Sequence, residues 1–233
     1  DFCLSRGLGD VYKRQAEDKT RAAMSWDELH ALVSRLQQAF RARGVEKGDR
    51  IAAMMPNMPE TIACMLACAS LGAIWSSCSP DFGVKGVLDR FGQIEPKLFI
   101  SCDGYWYNGK RQEVMEKLVE IAASLKPRAT IIVPLLDDAE TVARAVAGAH
   151  TLAAFIAGHA AMTVEFEPLP FSHPLYILFS SGTTGIPKCI VHSAGGTLLQ
   201  HLKEHRLHCG LEPGERLFYF TTCGWMMWNW LVS

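Results

Sequence analysis

The sequence predicts an α/β protein in which helices cover both faces of a mostly parallel sheet. Two observations carry this prediction: short apolar runs typical of buried strands, and intervening stretches whose apolar residues recur at helical spacing. The two kinds of segment alternate along the chain, which is the pattern of repeated βα units. A chain of 233 residues, 49% hydrophobic and 20% charged, is also long enough to bury the core of such a fold.

The first predicted element is a helix that begins at a capping box. Ser25 and Glu28 have the spacing at which each side chain can bond the other residue's backbone N–H. Apolar residues from Trp26 to Phe40 follow at helical spacing, and Gly44 is placed to end the helix. The elements expected after it are a strand over 50–55, a helix from Pro59, a strand over 73–77, a helix over 84–93, a strand over 97–101, a helix over 111–125, a strand over 130–134, a helix after Asp137 and a strand over 175–179.

Residues 61–79 contain no charged side chain, which raises the alternative of a membrane span. Gly72 interrupts this segment, and the segment is rich in Ala, Ser and Cys rather than in Leu and Ile. We therefore expect a buried helix that leads into the strand over 73–77, and no membrane span.

The domain organisation predicted from the sequence is one partial domain. Residues 1–15 show no periodicity and are excluded as a non-native tail, the alternative being a genuine N-terminal segment. The chain stops inside an apolar run at residues 230–233, so we expect 16–233 to be an internal fragment. Residues 158–174 contain three prolines and are expected to form a connector, with a possible subdomain boundary there.

Charge and cysteine content exclude several classes of function. The net charge of −1 gives no reason to expect nucleic acid or an anionic membrane as a partner. The eight cysteines include no C-x-x-C pair and most lie in apolar surroundings. They are expected to be buried free thiols of a reducing compartment, which favours the cytoplasm.

The most informative segment is the loop from Ser180 to Lys188, with the sequence SSGTTGIPK. It follows a strand-like run and is expected to precede a helix directly, where backbone N–H groups can converge on a phosphate. Glycines permit close approach, hydroxyl groups add donors, and the lysine adds a positive charge. The order is G-x-x-G-x-x-K and not that of a Walker A loop. The alternative is a solvated turn without function.

A second motif, H-x-x-E-H over residues 201–205, matches a zinc peptidase pattern. On a helix, His201 and His205 would share a face, as two zinc ligands must. Matches to such short patterns are common, and we expect this one to be accidental and the chain to hold no metal through it.

The loop over 180–188 resembles the phosphate-binding signature of the superfamily of acyl- and aryl-CoA synthetases, nonribosomal adenylation domains and luciferases. Within this superfamily, residues 76–83 (SSCSPDFG), 188–193 (KCIVHS) and 222–230 (TCGWMMWNW) resemble the members that activate acetoacetate. Cys189 contributes to this assignment, because most relatives carry Gly there. The resemblance covers the chain from about residue 20 to its end.

This resemblance implies part of a large N-terminal adenylation domain that acts on acetoacetate, ATP with Mg²⁺, and CoA. The reaction would form acetoacetyl-AMP and pyrophosphate, and then acetoacetyl-CoA and AMP. Two alternatives stay open: activation of acetate or propionate, and a non-catalytic nucleotide-binding fragment or relative. In the superfamily, the adenine, ribose and Mg²⁺ residues and the C-terminal domain with its lysine follow this region, so we expect the fragment alone to be inactive. The oligomeric state is left unassigned.

The resemblance also assigns roles to individual residues. Lys188 and Thr184 would be catalytic, Lys188 by stabilising charge on the leaving pyrophosphate. The ATP phosphates would be held by Ser180, Ser181, Gly182, Thr183, Thr184, Gly185 and Lys188. Trp225, Met226 and Met227 would shape the acyl pocket, the alternative being that they are core. Lys110 and Arg111, expected at a helix start, would contact the CoA 3′-phosphate, the alternative being a solvated helix cap.

Overall fold

The computed structural model describes residues 10–16, 19–180 and 185–232. In chain order, the elements are β1 (Asp10–Ala16), β2 (Thr20–Ser25), α1 (Trp26–Ala42), β3 (Arg50–Met54), α2 (Pro59–Ser70), β4 (Ile74–Cys78), α3 (Val84–Phe91), β5 (Leu98–Cys102), β6 (Gly104–Tyr107), β7 (Lys110–Glu113), α4 (Met115–Leu125), β8 (Ala129–Val133), α5 (Ala139–Ala145), β9 (Ala149–Thr151), α6 (Leu152–Ile156), β10 (Pro174–Ser180), β11 (Lys188–Ser193), α7 (Ala194–Lys203), a π-helical turn (Glu204–His208) and α8 (Met226–Val232).

The central feature is a seven-stranded sheet in the order β11-β10-β4-β3-β5-β8-β9. Every pair of neighbours is parallel except β10 and β11, which form an antiparallel hairpin. Strands β4 and β5, consecutive in the chain, lie on opposite sides of β3. The connection from β3 to β4 and the connection from β4 to β5 therefore run in opposite directions across the sheet, and the order of strands reverses at β3. Ligands of open parallel sheets bind beyond the carboxyl ends of the strands at such a switch point.

Helices and loops bury both faces of this sheet, as predicted. Along β3, Ile51 and Ala53 pack into one apolar cluster, and Ala52 and Met54 pack into the other. This alternation is the period of two that places successive side chains on opposite faces. Because both faces are covered, the strands are nearly continuous apolar runs. The predicted fold class is thereby confirmed.

Most elements follow the predicted order, and α1 shows why. The Ser25 backbone N–H donates to Glu28 Oε2 at 2.7 Å, and the Glu28 N–H donates to Ser25 Oγ at 3.2 Å, which completes the predicted capping box. The helix is over by Gly44, which adopts a φ of +75°. The hairpin of β1 and β2 and the elements β9 and α6 have no counterpart in the prediction.

The uncharged segment forms α2 followed by β4, so the expected buried helix leading into a strand is confirmed. Within the described ranges, no helix is both long and apolar enough to cross a membrane.

The connector between α6 and β10 contains neither helix nor strand, as predicted. It runs along α1, where Gln37 Nε2 donates to the Glu165 carbonyl at 2.5 Å. The Ser34 hydroxyl accepts from the Met162 N–H at 2.9 Å. Polar side chains of α1 therefore satisfy the backbone of a segment that has no ladder partner.

Candidate active site

The loop rich in glycine and hydroxyl groups connects the antiparallel strands β10 and β11. Ser180 pairs with Lys188 across the end of the hairpin, so the two residues flank the loop at the carboxyl end of β10. Gly185 is exposed with a φ of +88°, and the Lys188 side chain is also exposed. Four predicted phosphate-binding residues lie outside the described residues: Ser181, Gly182, Thr183 and Thr184.

The predicted junction from strand directly to helix at this loop is wrong. Strand β11 intervenes, and α7 begins only at Ala194. The β-branched residues Ile190 and Val191 favour a strand, and they pair with Leu178 and Ile177 of β10. The donors for a phosphate therefore cannot belong to a helix N-terminus at the loop. They would have to be backbone N–H groups of the loop itself, as in a nest.

The side chain of Gln93, just beyond α3, fixes the return of the loop. Its Nε2 donates to the Pro187 carbonyl at 2.9 Å, and its Oε1 accepts from the Cys189 thiol at 3.6 Å. Both contacts flank Lys188 in sequence. These two hydrogen bonds fix the backbone on either side of Lys188, while the Lys188 side chain stays exposed.

Hydrogen bonds from the sheet side fix both ends of the aromatic and methionine segment at the start of α8. The Ser77 hydroxyl, near the carboxyl end of β4, donates to the Cys223 carbonyl at 2.6 Å. The Trp228 indole N–H donates to Asn57 Oδ1 at 2.9 Å, and its ring is fully buried. The segment is thus brought to the same edge of the sheet as the β10–β11 loop.

The three predicted pocket residues differ in their surroundings. Trp225 is 69% exposed and Met226 is 51% exposed, so the alternative that they form core is wrong for these two. Met227 is half-buried. The core role belongs instead to Trp228, the next residue along.

An open pocket of about 250 Å³ lies between β11, α7 and the start of α8. His192, Thr197 and His201 contribute its polar lining, and Met226 contributes to its apolar lining. The Tyr176 and His192 rings lie 5.1 Å apart, and burial lowers the pKa of His192. Burial also holds the pKa of His201 at about 4, with His205 and His192 adding to the effect. Both pocket histidines are therefore neutral at pH 7.

The predicted CoA residues lie on a hairpin and not at a helix start. Lys110 and Arg111 belong to β7, which pairs with β6 across the turn Asn108-Gly109, and α4 begins only at Met115. Both turn residues have positive φ, +51° and +71°, as a two-residue hairpin of this twist requires. Asn-Gly directly after a run of aromatic residues was the signal for this hairpin, and it outweighs the helical spacing that follows.

Asp103, between β5 and β6, organises the base of this hairpin. Its Oδ1 accepts the backbone N–H groups of Leu135 and Leu136 at 2.7 and 2.9 Å, and its Oδ2 accepts that of Asp138 at 2.8 Å. The Asp138 carboxylate in turn lies 3.4 Å from Arg111 Nη2. A buried carboxylate thus positions the partner of a candidate CoA residue. Sequence reasoning missed it; an acidic residue directly after a buried strand was the available signal.

The H-x-x-E-H histidines have structural surroundings. His201 is 8% exposed, and His205 stacks on Trp230 at 4.8 Å with its Nε2 2.8 Å from the Trp230 carbonyl. The helix changes to π-helical form at Glu204, so His201 and His205 are not on one regular α-helix. Among the residues that the structure describes, no cluster of three or more His, Cys, Asp or Glu side chains is arranged to hold a metal ion.

A mostly parallel sheet covered on both faces, with the β10–β11 loop and the segment before α8 at its carboxyl edge, defines the α/β class in which ligand sites occupy that edge. The family model described as AMP-binding enzyme matches residues 11–232, and the chain belongs to this family. It is 71% identical over 227 residues to the acetoacetyl-coenzyme A synthetase of Rhizobium meliloti (strain 1021), which covers 97% of this chain and 35% of that protein.

Two further comparisons agree with this assignment. The chain is 44% identical over 223 residues to a malonamoyl-CoA synthetase of Penicillium aethiopicum, covering 93% of this chain and 31% of that protein. The solved structure of the acetoacetyl-CoA synthetase from Streptomyces lividans superposes with a TM-score of 0.85 at 44% identity, covering 91% of this chain and 32% of that one. The chain thus spans about a third of the length of the relatives it matches.

Proposed function

We propose that this chain is part of an acetoacetate–CoA ligase that forms AMP and pyrophosphate. The observation that carries the proposal is the 71% identity to the acetoacetyl-coenzyme A synthetase of Rhizobium meliloti over nearly the whole chain. The position of the β10–β11 loop at the carboxyl end of β10, on the edge of the sheet where ligands of parallel sheets bind, supports it independently.

The chemistry needs charge neutralisation and alignment rather than a general base. A carboxylate oxygen attacks the α-phosphorus of ATP, and the bond to the pyrophosphate oxygen breaks. The CoA thiol then loses its proton, its sulfur attacks the acyl carbon, and AMP leaves with the former carboxylate oxygen. Because the nucleophile of the first step is already charged, positioned donors supply most of the catalysis.

In this proposal, Lys188 stabilises the negative charge that develops on pyrophosphate, and Thr184 assists it. Ser180 and Gly185 flank the phosphate cradle, and Ser181, Gly182 and Thr183 complete it. The exposed ammonium group of Lys188, beside a loop anchored through Gln93, supports this assignment.

The acyl group would be bound near Met226, with Trp225 and Met227 beside it. The acyl groups in the two relatives' names, acetoacetyl and malonamoyl, share a carbonyl at the third carbon. A site for such a carbonyl favours acetoacetate over acetate or propionate, which lack it.

The CoA nucleotide would be bound by the β6–β7 hairpin, where Lys110 and Arg111 offer a concentrated positive charge to the 3′-phosphate. The described residues provide no cluster of carboxylates for Mg²⁺, which usually binds through substrate phosphates and only one or two protein carboxylates. Mg²⁺ would be bound with the ATP phosphates and would neutralise their charge. The free buried thiols agree with a cytoplasmic location.

The test uses a chimera, the Rhizobium meliloti protein with its matching third replaced by this chain. We expect acetoacetate-dependent release of pyrophosphate, lowered about 100- to 1,000-fold in kcat by Lys188→Gln. The matched control is Lys85→Gln, an exposed lysine on α3, which should leave the rate unchanged. A folded chimera with a cooperative thermal transition but no acetoacetate-dependent activity would refute the function. Activity with acetate or propionate alone would favour a ligase for those acids. ATP binding without turnover would favour a non-catalytic nucleotide-binding protein.

A further inference from the structure

The pocket between β11, α7 and α8 contains a hydrogen-bonding group that the proposed reaction has not used. Within the described part of the chain, no residue hydrogen-bonds to either ring nitrogen of His192, although its ring is half-buried and lies against Tyr176. A half-buried imidazole with an unused N–H is suited to a ligand acceptor. Met226, the residue proposed to contact the acyl group, lines the same pocket.

His192 is also aligned with Lys188 along strand β11. Residues 188, 190 and 192 project from one face of the strand, since side chains alternate, and they pair with Ser180, Leu178 and Tyr176 of β10. Four residues of strand separate Lys188 from His192 by about 13 Å between Cα atoms. Six bonds join the β-phosphorus of ATP to the third carbon of an attacking acetoacetate. A substrate lying along β11 can therefore reach both side chains. The six bonds, the length of the lysine side chain and one hydrogen bond together span the separation between Lys188 and His192.

The chemistry of the pocket selects a ketone rather than a second charged group. Its imidazoles are neutral at pH 7 because burial lowers the pKa of His192 and of His201. Among the residues that the structure describes, no lysine or arginine lines the pocket, so the counter-charge that a dicarboxylate would need is not provided by them. Met226 offers apolar surface to a terminal methyl group. The volume of about 250 Å³ is below the roughly 300–1,000 Å³ of sites for drug-sized ligands, so the pocket suits a small acid.

We propose that the His192 imidazole donates a hydrogen bond to the 3-oxo oxygen of acetoacetate and so distinguishes this acid from unsubstituted acids of similar length. The proposal rests on the proposed function and adds the residue that determines its substrate choice. Tyr176 acts as a positioning residue, because its ring packs against that of His192 and its hydroxyl lies 3.5 Å from the Thr197 hydroxyl.

The experiment compares acetoacetate with butyrate, which has the same number of carbons and lacks the 3-oxo group, in the chimera described above. His192→Phe keeps an aromatic ring against Tyr176 but cannot hydrogen-bond, and His192→Gln keeps a neutral donor. We expect His192→Phe to lower kcat/KM for acetoacetate about 3- to 30-fold, mainly through KM, and to change that for butyrate less than 2-fold. His192→Gln should retain most of the preference.

Four results would overturn the proposal. An equal loss for both acids would assign His192 a structural role, and an equal loss of preference in both variants would show that a neutral hydrogen-bond donor at this position does not carry the preference. If the unsubstituted chimera activates acetoacetate and His192→Phe leaves its preference unchanged, only this inference fails. If the folded unsubstituted chimera does not activate acetoacetate, the proposed function fails and the inference fails with it.

Discussion

Replacing Asp103 with asparagine is expected to destabilise the chain by about 2–4 kcal/mol. The substitution preserves the shape of the side chain and removes its charge. The remaining carbonyl oxygen can still accept from Leu135 and Leu136, but the new amide NH₂ faces the backbone N–H of Asp138, now 2.8 Å from Oδ2. One charge-assisted hydrogen bond is lost, about 1.5–3 kcal/mol, and the other two become neutral and weaker.

Urea denaturation at pH 7 and 25 °C measures this change as a shift of the midpoint at constant slope. For a chain of this size, the thermal midpoint should fall by roughly 5–15 °C, since each 1 kcal/mol corresponds to about 2–4 °C. The control is Asp89→Asn, which removes an exposed ion pair to Lys85 and should change stability by at most about 0.5 kcal/mol. An Asp103→Asn variant within 0.5 kcal/mol of the unsubstituted chain would refute this account of the hairpin base.

Two further predictions follow from burial. The pKa of His201 is about 4 in the folded chain and about 6.5 in the unfolded chain, so the unfolded chain takes up a proton first as the pH falls. The free energy of unfolding should therefore decrease by about 2–3 kcal/mol between pH 6.5 and pH 4 through this residue. His201→Gln should flatten the dependence of the unfolding free energy on pH over this range, and an unchanged slope would contradict the assignment. In a Cys3→Ser variant, a thiol reagent should modify Cys189 and Cys209 rapidly and the five buried cysteines only on unfolding, and rapid modification of more than two thiols would contradict the described burial.

The sequence was sufficient for the parallel sheet because its signals are local and consistent. Buried strands such as β5 are nearly continuous apolar runs, and α1 has both a capping box and a glycine just beyond its end. These features act within a few residues and do not depend on distant contacts. The order of strands in space was not predicted, because loop closure and packing against both faces decide it.

Errors arose where two patterns competed over the same residues. Residues 111–113 fit the start of the amphipathic helix, but the turn Asn108-Gly109 and the aromatic residues before it pair them into a hairpin instead. Likewise, β11 is largely exposed, and its β-branched residues together with its pairing with β10 make it a strand. The role of Asp103 depends on a loop more than 30 residues away, and the pocket at His192 exists only once β11, α7 and α8 come together.

The fate of the carboxylate oxygen tests the central claim most directly. The chimera is supplied with acetoacetate labelled with ¹⁸O in its carboxylate, together with ATP and CoA, and the products are analysed by mass spectrometry. Activation through an acyl-adenylate transfers one labelled oxygen to AMP and leaves pyrophosphate unlabelled. The amount of labelled AMP should equal the amount of acetoacetyl-CoA formed. Unlabelled AMP, or ADP and labelled phosphate in its place, would contradict the proposed chemistry.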